Sequence, residues 1–255
     1  MALELYAMTC GWLNLPLAVL IEGGSADTIR IPVPCYLIVH PSGTALFDSG
    51  LGTVCLEEDD EYLGDFAALM QVEFAPGEEI AMRLETLERE GASIDFLINS
   101  HLHFDHAGGN EQIPDARLIV QKREWEAAHE PDQIAAMGYK PVDYDLGHDL
   151  LLVDGEHDVF GDGSVTCIPT HGHTPGHQSL RVALPDGEVV LTGDACYLRE
   201  SLEQLRRPPG AASDREAMLG SLKRLRTLQS RGARIFYGHD PGFWQKVPQA
   251  PARIT

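Results

Sequence analysis

Short apolar runs bounded by turn residues recur along this chain, and this pattern predicts strands. The first run covers residues 31–40 and carries its prolines only near the start, as strands tolerate them. Pro41, Ser42 and Gly43 then predict a hairpin turn into a second strand at residues 44–47. Further runs predict strands at residues 94–99, 118–120, 150–153, 165–168, 179–184, 189–192 and 234–237.

Helical spacing of apolar residues appears in fewer places. It predicts helices over residues 76–90, 124–129 and 214–229, and a glycine follows the first and third of these segments. Residues 55–75, 130–149 and 199–213 show neither period and are expected to be irregular connections at the surface, the first of them a cap or lid. Strands followed by a helix occur twice, so we expect an α/β domain over residues 1–255 with two similar halves, roughly 1–155 and 156–255.

The composition is that of a globular protein and restricts its partners. With 39 acidic and 19 basic residues the net charge is −20, which argues against nucleic acid and against an anionic membrane surface. The apolar stretch at residues 11–21 is too short to span a bilayer and lacks a basic leader, so no signal peptide is expected. Five scattered cysteines predict free thiols in a reducing compartment, and we expect a cytoplasmic monomer or homodimer.

The densest chemical signal is Ser-His-Leu-His-Phe-Asp-His-Ala-Gly-Gly at residues 100–109. It places three histidines and an aspartate between His101 and His106. If the preceding strand extends to His103, then His101 and His103 lie on one face and point at one cation. Asp105 and His106, on the turn that follows, can face a second cation. Imidazole with carboxylate suits zinc or a similar first-row metal.

Three later sites add residues that can bind a metal, each at the end of a predicted strand. His171, His173 and His177 follow the strand at 165–168, Asp194 follows the strand at 189–192, and His239 follows the last strand. Together with the first cluster they can form two adjacent metal sites that share a bridging carboxylate. Spacing alone does not decide which of the three clustered histidines is the ligand.

These motifs, in this order, resemble the metallo-β-lactamase superfamily over residues 30–240. The resemblance implies a four-layer αββα sandwich and two divalent cations, with zinc expected first and iron, manganese or cobalt as alternatives. It implies one metal bound by His101, His103 and His173, a second bound by Asp105, His106 and His239, and Asp194 bridging the two. His173 is preferred because the superfamily's ligand precedes a small-Pro-Gly-His step. Asp48 is similar to the superfamily's aspartate that braces ligand histidines, with a plain turn aspartate as the alternative.

Within the superfamily the chain most resembles N-acyl-homoserine lactonases. Tyr197 stands three residues after Asp194, where those enzymes carry a tyrosine that contacts the substrate carbonyl, and an edge tyrosine is the alternative. This resemblance implies that a metal-bridging hydroxide opens the lactone ring while Tyr197 stabilises the oxyanion and Asp105 assists the leaving alkoxide. Leu13, Phe104 and residues of the 55–75 and 199–213 connections are candidates to hold an apolar acyl chain. Cys196 is expected to be a buried thiol.

Other functions stay open at this point. Another lactonase, a carboxylic-ester hydrolase or a thioester hydrolase similar to glyoxalase II would share every metal ligand. A β-lactamase is disfavoured because no export signal is recognised. A binding or sensor protein that retains the metals is the alternative outside enzymes.

Overall fold

The computed structural model describes residues 3–57, 60–210 and 213–255. Residues 58–59 of the expected acidic lid and residues 211–212 of the expected connection at 199–213 lie outside the described part. The strands are β1 (Glu4–Pro16), β2 (Thr28–His40), β3 (Gly43–Phe47), β4 (Gln71–Glu73), β5 (Phe96–Ile98), β6 (Arg117–Gln121), β7 (Leu150–Val153), β8 (His157–Asp158), β9 (Val165–Pro169), β10 (Gln178–Leu184), β11 (Gly187–Leu191), β12 (Arg234–Phe236) and β13 (Arg253–Ile254).

The α-helices are mostly short. They are α1 (Leu17–Leu20), α2 (Asp60–Leu63), α3 (Phe66–Leu69), α4 (Ile80–Glu85), α5 (Phe104–Ala107), α6 (Lys122–Ala127), α7 (Pro131–Met137), α8 (Pro141–Tyr144), α9 (Arg199–Gln204), α10 (Arg215–Ser230) and α11 (Pro241–Trp244). Single 3-10 turns occur at Thr53–Glu57, Gly91–Ser93, Gly108–Gln112 and Gly193–Ala195. No helix of the described part is long and apolar enough to cross a membrane.

Two sheets stack face to face between outer helices. The first has the order β13-β1-β2-β3-β5-β6-β7, with β4 beside β1, and the second has the order β12-β11-β10-β9-β8. Apolar residues of both sheets, such as Ile38, Phe47, Leu180 and Leu191, form the core between them. Ile80 and Leu84 of α4 cover the far side of the first sheet, and Leu222 and Leu225 of α10 cover the far side of the second. The expected αββα sandwich is confirmed.

The sheets divide the chain close to residue 155. Apart from β13, the first sheet uses only strands up to β7, and the second sheet uses only strands from β8 onward. The division of a single domain into two similar halves stays a prediction, but each expected half builds one sheet.

Three local predictions were wrong. The strand expected to reach His103 ends at Ile98, so His101 and His103 lie in the turn after it. Residues 130–149 lie mostly at the surface as expected, but they are not irregular: they hold α7 and α8, and Tyr144 is fully buried. Pro131 and Pro141 stand at the first positions of these helices, where a missing N–H costs nothing. The helix expected over 76–90 covers only α4.

Candidate metal centre

The ligand-type residues of both sheets meet where strands end. β5 leads into the segment 99–106, β9 into 170–177, β11 into Asp194 and β12 into His239. Strands β3, β5 and β6 run parallel, and so do β11 and β12, so their carboxyl ends lie at common edges of the two sheets. The topology therefore gathers residues that are far apart in the sequence.

Three imidazoles form the first group. The distances between His101 Nε2, His103 Nδ1 and His173 Nε2 are 3.0, 3.0 and 3.1 Å, and all three rings are buried. Neutral imidazoles carry one proton each and cannot satisfy three such contacts by mutual hydrogen bonds. Nitrogens bound at 2.0–2.1 Å to one tetrahedral cation lie roughly 3.3–3.4 Å apart. The spacing therefore fits a cation shared by the three rings.

Asp105, His106 and His239 form a second group, and Asp194 lies between the two groups. Asp194 Oδ1 is 3.1 Å from His106 Nε2 and 2.9 Å from His239 Nε2. Its other oxygen, Oδ2, is 3.3 Å from His173 Nε2 and 3.8 Å from His101 Nε2. Each oxygen thus faces one group, as a bridging carboxylate would. We call these seven residues the metal cluster.

The outer nitrogens of three cluster histidines are held by acceptors. His239 Nδ1 lies 2.7 Å from the carbonyl of Pro32 and must donate to it, because a carbonyl only accepts. His106 Nδ1 donates to the carboxylate of Asp48 at 2.9 Å. The Ser100 hydroxyl donates to Asp48 at 2.8 Å and can accept from His101 Nδ1 at 3.0 Å. Each Nε2 is thereby left with a lone pair facing the cluster, which is the tautomer that a metal requires.

His177 holds Asp194 through a hydrogen-bond chain with a defined direction. The Asp194 N–H donates to His177 Nε2 at 3.0 Å, so the ring proton is on Nδ1 and is donated to the Thr170 hydroxyl at 2.9 Å. Thr170 donates to Ser179 at 2.8 Å, and Ser179 donates to the carbonyl of Thr192, also at 2.8 Å. Burial lowers the pKa of His177 well below its ordinary value, which agrees with a neutral ring.

Buried polar atoms without partners test whether the cluster fits cations. Among the described residues, His103 Nε2, His106 Nε2 and Asp194 Oδ1 are buried with no hydrogen bond. His106 Nε2 and Asp194 Oδ1 lie 3.1 Å apart, but their geometry is not that of a hydrogen bond. Uncompensated buried groups are costly, and a bound cation would satisfy the two that face the cluster. The donor set of imidazole and carboxylate fits zinc and related metals.

The pKa shifts of His101 and His103 also suit metal ligands. Burial, reinforced by neighbouring imidazoles, lowers the pKa of His101 well below its ordinary value. Burial, together with the neighbouring His173, lowers the pKa of His103 to about 3. Both rings are therefore neutral near pH 7, as ligation demands. Burial alone would lower the pKa of His106, but the carboxylates of Asp194, Asp105 and Asp48 raise it well above its ordinary value. That carboxylate field would equally stabilise a cation.

A cavity of about 600 Å³ opens directly onto the cluster. Five cluster residues and Tyr197 line one end of it. The remainder, which we call the apolar wall, consists of Leu13, Leu15, Ala18, Val19, Leu20, Ile31, Phe66, Leu69, Met70, Phe104, Ala136, Met137, Pro209 and Gly210. None of the lining residues that the structure describes is lysine or arginine.

Tyr197 and Asp105 stand where the cluster meets the cavity. Tyr197 is 4% exposed, and its hydroxyl lies 3.0 Å from His173 Nδ1. Its ring lies against both His173 and His239 and lines the cavity. Asp105 Oδ2 lies 3.4 Å from His106 Nε2 and 3.7 Å from His239 Nε2, and Asp105 also lines the cavity.

Two candidates with open roles lie outside the cluster. His171 is half-buried, with Nδ1 3.2 Å from the carbonyl of His177, and the structure brings His173 to the cluster instead. Cys196 is buried in the core beside α10, and its thiol faces the carbonyl of Leu198 at 3.4 Å. Asp48, by contrast, contacts His106 directly.

Sequence reasoning missed several residues around the centre. Ser100 joins His101 to Asp48, and Ala136 and Met137 enter the cavity from α7, which was expected to be a surface excursion. Glu124 is fully buried under the loops that carry His101, His103 and His173. The available signal was an acidic residue three positions after a buried strand, in the first turn of a predicted helix.

Comparison with known proteins places the chain among metal-dependent lactonases. Residues 28–239 match the metallo-beta-lactamase superfamily. The chain is 35% identical over 237 residues to the N-acyl homoserine lactonase AttM of Azorhizobium caulinodans, covering 90% of this chain and 89% of that protein. It is 32% identical to the N-acyl homoserine lactonase AiiA of Bacillus thuringiensis subsp. kurstaki, covering 83% and 82%.

A solved structure extends the similarity to the whole fold. It is an N-acyl homoserine lactone hydrolase with the product N-hexanoyl-L-homoserine bound at the catalytic metal center. The TM-score is 0.88 at 29% identity, and the superposition covers 100% of both chains.

Proposed function

This chain belongs to the metallo-beta-lactamase superfamily and is a metal-dependent hydrolase of lactone esters, and we propose that N-acyl homoserine lactones are its substrates. The single observation that carries the substrate is the cavity. It joins the metal cluster and the Tyr197 phenol at one end to a continuous apolar wall beyond. A lactone head group with an apolar acyl chain has the same division of polar and apolar parts.

The wall also distinguishes this substrate class from glutathione thioesters. A glutathione moiety carries two carboxylates and an ammonium group, and burying them requires charged partners. The apolar wall offers none among its described residues. An acyl chain instead gains roughly 0.8 kcal/mol for each methylene group removed from water.

We assign His101, His103 and His173 to one cation, Asp105, His106 and His239 to the other, and Asp194 to both. The close approach of the three imidazole nitrogens and the division of the two Asp194 oxygens between the groups support this assignment. When bound, two cations at such a site supply an acidified water and a Lewis acid for the carbonyl.

The chain's own residues have defined tasks in the reaction. Tyr197 donates its phenol hydrogen bond to the carbonyl oxygen as negative charge develops there, and burial keeps the phenol protonated by raising its pKa well above the ordinary value. As water adds to the carbonyl carbon, one of its protons passes to the Asp105 carboxylate; the ring C–O bond then breaks, and Asp105 delivers this proton to the leaving oxygen. The product is an acyclic N-acyl homoserine. Phe104 and Leu13 hold the acyl chain during these steps.

We further propose zinc as the native metal and a reducing, cytoplasmic location. The imidazole-rich first group supports zinc. Five buried free cysteines support the reducing compartment. Elemental analysis of the protein purified without added metal tests the first proposal, and iron or manganese in place of zinc would overturn it.

A pH-drop assay across ester classes tests the substrate. N-acyl homoserine lactones with acyl chains of 4 to 12 carbons are compared with simple lactones, glutathione thioesters and a β-lactam. We expect acyl homoserine lactones to show the highest kcat/KM. Hydrolysis of the thioesters alone would overturn the proposal.

A further inference from the structure

Glu124 is a fully buried acidic residue that the reaction steps do not use. It lies in the first turn of α6, and both of its carboxylate oxygens are occupied. Oε1 accepts from the backbone N–H of Leu102 at 3.1 Å and from the Tyr139 hydroxyl at 2.9 Å. Oε2 accepts from the Thr174 hydroxyl at 2.7 Å and from the backbone N–H of Gly176 at 2.9 Å.

Three of the four partners belong to the segments that carry the first group of the metal cluster. Leu102 stands between His101 and His103, and Thr174 directly follows His173. Tyr139 extends the contact, because its ring lies 5.5 Å from the ring of His103. One carboxylate therefore ties two separate loops, which come from different sheets, at the point where their imidazole nitrogens converge.

We propose that Glu124 is a positioning residue that sets the separation between the loop of His101 and His103 and the loop of His173. It thereby determines the affinity for one cation of the pair. The inference rests on the proposed assignment of the cluster as a two-cation site. The second group lies outside its direct reach, because none of Glu124's hydrogen bonds goes to Asp105, His106 or His239.

The geometry requires a carboxylate at this position. Each oxygen accepts one backbone N–H, and a backbone N–H cannot reverse its role. A glutamine has the same shape, but its NH₂ would face the N–H of Leu102 in one orientation and the N–H of Gly176 in the other. The packing leaves little freedom to move apart, since a Cβ on Gly176 would lie 2.1 Å from the backbone nitrogen of residue 124.

The test is the stepwise release of metal from the loaded enzyme. Wild type and Glu124→Gln, each loaded with two equivalents of zinc, are equilibrated with increasing concentrations of a chromophoric chelator, and retained zinc is measured. The matched control is Glu126→Gln, on the same helix, where the side chain is 60% exposed and pairs only with Lys122 among the described residues. We expect the Glu124 variant to hold one zinc about 10- to 100-fold more weakly and the other within about threefold of wild type. The control should match wild type at both sites.

A role in overall stability alone predicts a different result. Glu124→Gln would then unfold at lower denaturant concentration while both zinc affinities stayed equal to wild type, or both fell by the same factor. Either outcome would overturn the proposal. If Glu124→Gln does not fold, Thr174→Val keeps the carboxylate and removes one of its four contacts. It should weaken the same zinc by about three- to tenfold, and an unchanged affinity would equally overturn the proposal.

The lactone assay separates this inference from the proposed function. If wild type binds two zinc ions, the variant loses one selectively and no lactone is hydrolysed, the substrate proposal fails and the role of Glu124 stands. If wild type hydrolyses lactones and the variant binds zinc as wild type does, only the role of Glu124 fails.

Discussion

The two ends of the cavity are constructed differently. At the metal cluster, Asp48, Pro32, Tyr197 and Ser100 contact outer nitrogens of the ligand histidines, and His177 holds Asp194. The apolar wall is assembled from residues of β1, β2, short helices and connections through the packing of apolar side chains. Beside it, the Tyr62 hydroxyl of α2 donates to the Asp143 carboxylate of α8 at 2.7 Å. Directional bonds therefore fix the reacting end, whereas packing alone shapes most of the other end.

This difference indicates where substitutions will alter chemistry and where they will alter selectivity. A hydrogen bond to a buried partner cannot be removed without leaving that partner unsatisfied. An apolar contact can be shortened at a smaller and more graded cost. Changes at the cluster should therefore affect metal content or turnover for every substrate. Changes at the wall should act on some acyl chains and not on others.

Replacing Asp194 tests the cluster most severely. Asp194→Asn keeps the size of the side chain but removes the charge between the two groups, so metal content and activity should fall together, with activity reduced more than about 1,000-fold. Elemental analysis and the lactone assay measure the two effects. Asp149→Asn, at an exposed ion pair with Arg117, is the control. Full occupancy by two metals in Asp194→Asn would remove Asp194 as the bridge.

Tyr197→Phe separates turnover from metal binding. Loss of one oxyanion donor costs roughly 3–4 kcal/mol, so kcat should fall about 100- to 1,000-fold. Two metals should stay bound, because no cluster side chain is changed. Tyr6→Phe, on β1 and remote from the cavity, should leave kcat unaltered. Equal turnover in Tyr197→Phe and wild type would contradict the proposed contact with the carbonyl.

Phe66→Ala probes the wall. The ring of Phe66 lines the cavity 5.5 Å from the ring of Phe104. Its removal should lower kcat/KM about tenfold for a 10-carbon acyl chain and change it little for a 4-carbon chain, because only the longer chain reaches the wall. Val142→Ala, at a side chain that is 69% exposed outside the cavity, is the control. An equal loss for both chains would place Phe66 with the cluster rather than with the wall.

The buried Asp143 of α8, which accepts a hydrogen bond from Tyr62 of α2, should make the stability of the protein depend on pH. Burial raises the pKa of Asp143 to about 7, with a small opposing effect of Tyr62 and Lys140. Because the folded pKa lies above the ordinary value, the protonated group stabilises the protein below about pH 4. That stabilisation is lost as the pH rises through about 7. The free energy of unfolding should fall by about 1–3 kcal/mol more between pH 5 and pH 8 in wild type than in Asp143→Asn.

Denaturant unfolding at the two pH values measures this difference. Asp145→Asn, an exposed neighbour on the same segment, makes the same change of charge and should behave as wild type. If Asp143→Asn and wild type lose equal stability between pH 5 and pH 8, Asp143 is not the titrating group.

The cluster and the wall also differ in how far the sequence predicts them. His101, His103, Asp105 and His106 are recognisable because six consecutive positions carry four residues that can bind a metal. The wall carries no such local signal, since Ala136 or Leu15 is apolar in any core and becomes part of a cavity only through tertiary packing. Sequence pattern therefore predicted an α/β domain and most strands, whereas the four layers were implied by the family resemblance and the helices that begin at Pro131 and Pro141 were not predicted. Glu124 was not predicted because its importance depends on partners that lie 15 to 52 residues away in the sequence.

The hydrogen-bond chain that runs from Asp194 through His177 to Thr192 limits how protons can leave the metal cluster. It starts at the Asp194 N–H and ends on a backbone carbonyl, which has no proton to hand on and none to release. The hydrogen bond donated by His239 Nδ1 likewise ends on a backbone carbonyl, that of Pro32. These two routes are insulated from the protein exterior. Neither route can therefore remove the acid that the proposed reaction generates, whereas the cavity leads away from the metal cluster along the apolar wall that would select the acyl chain.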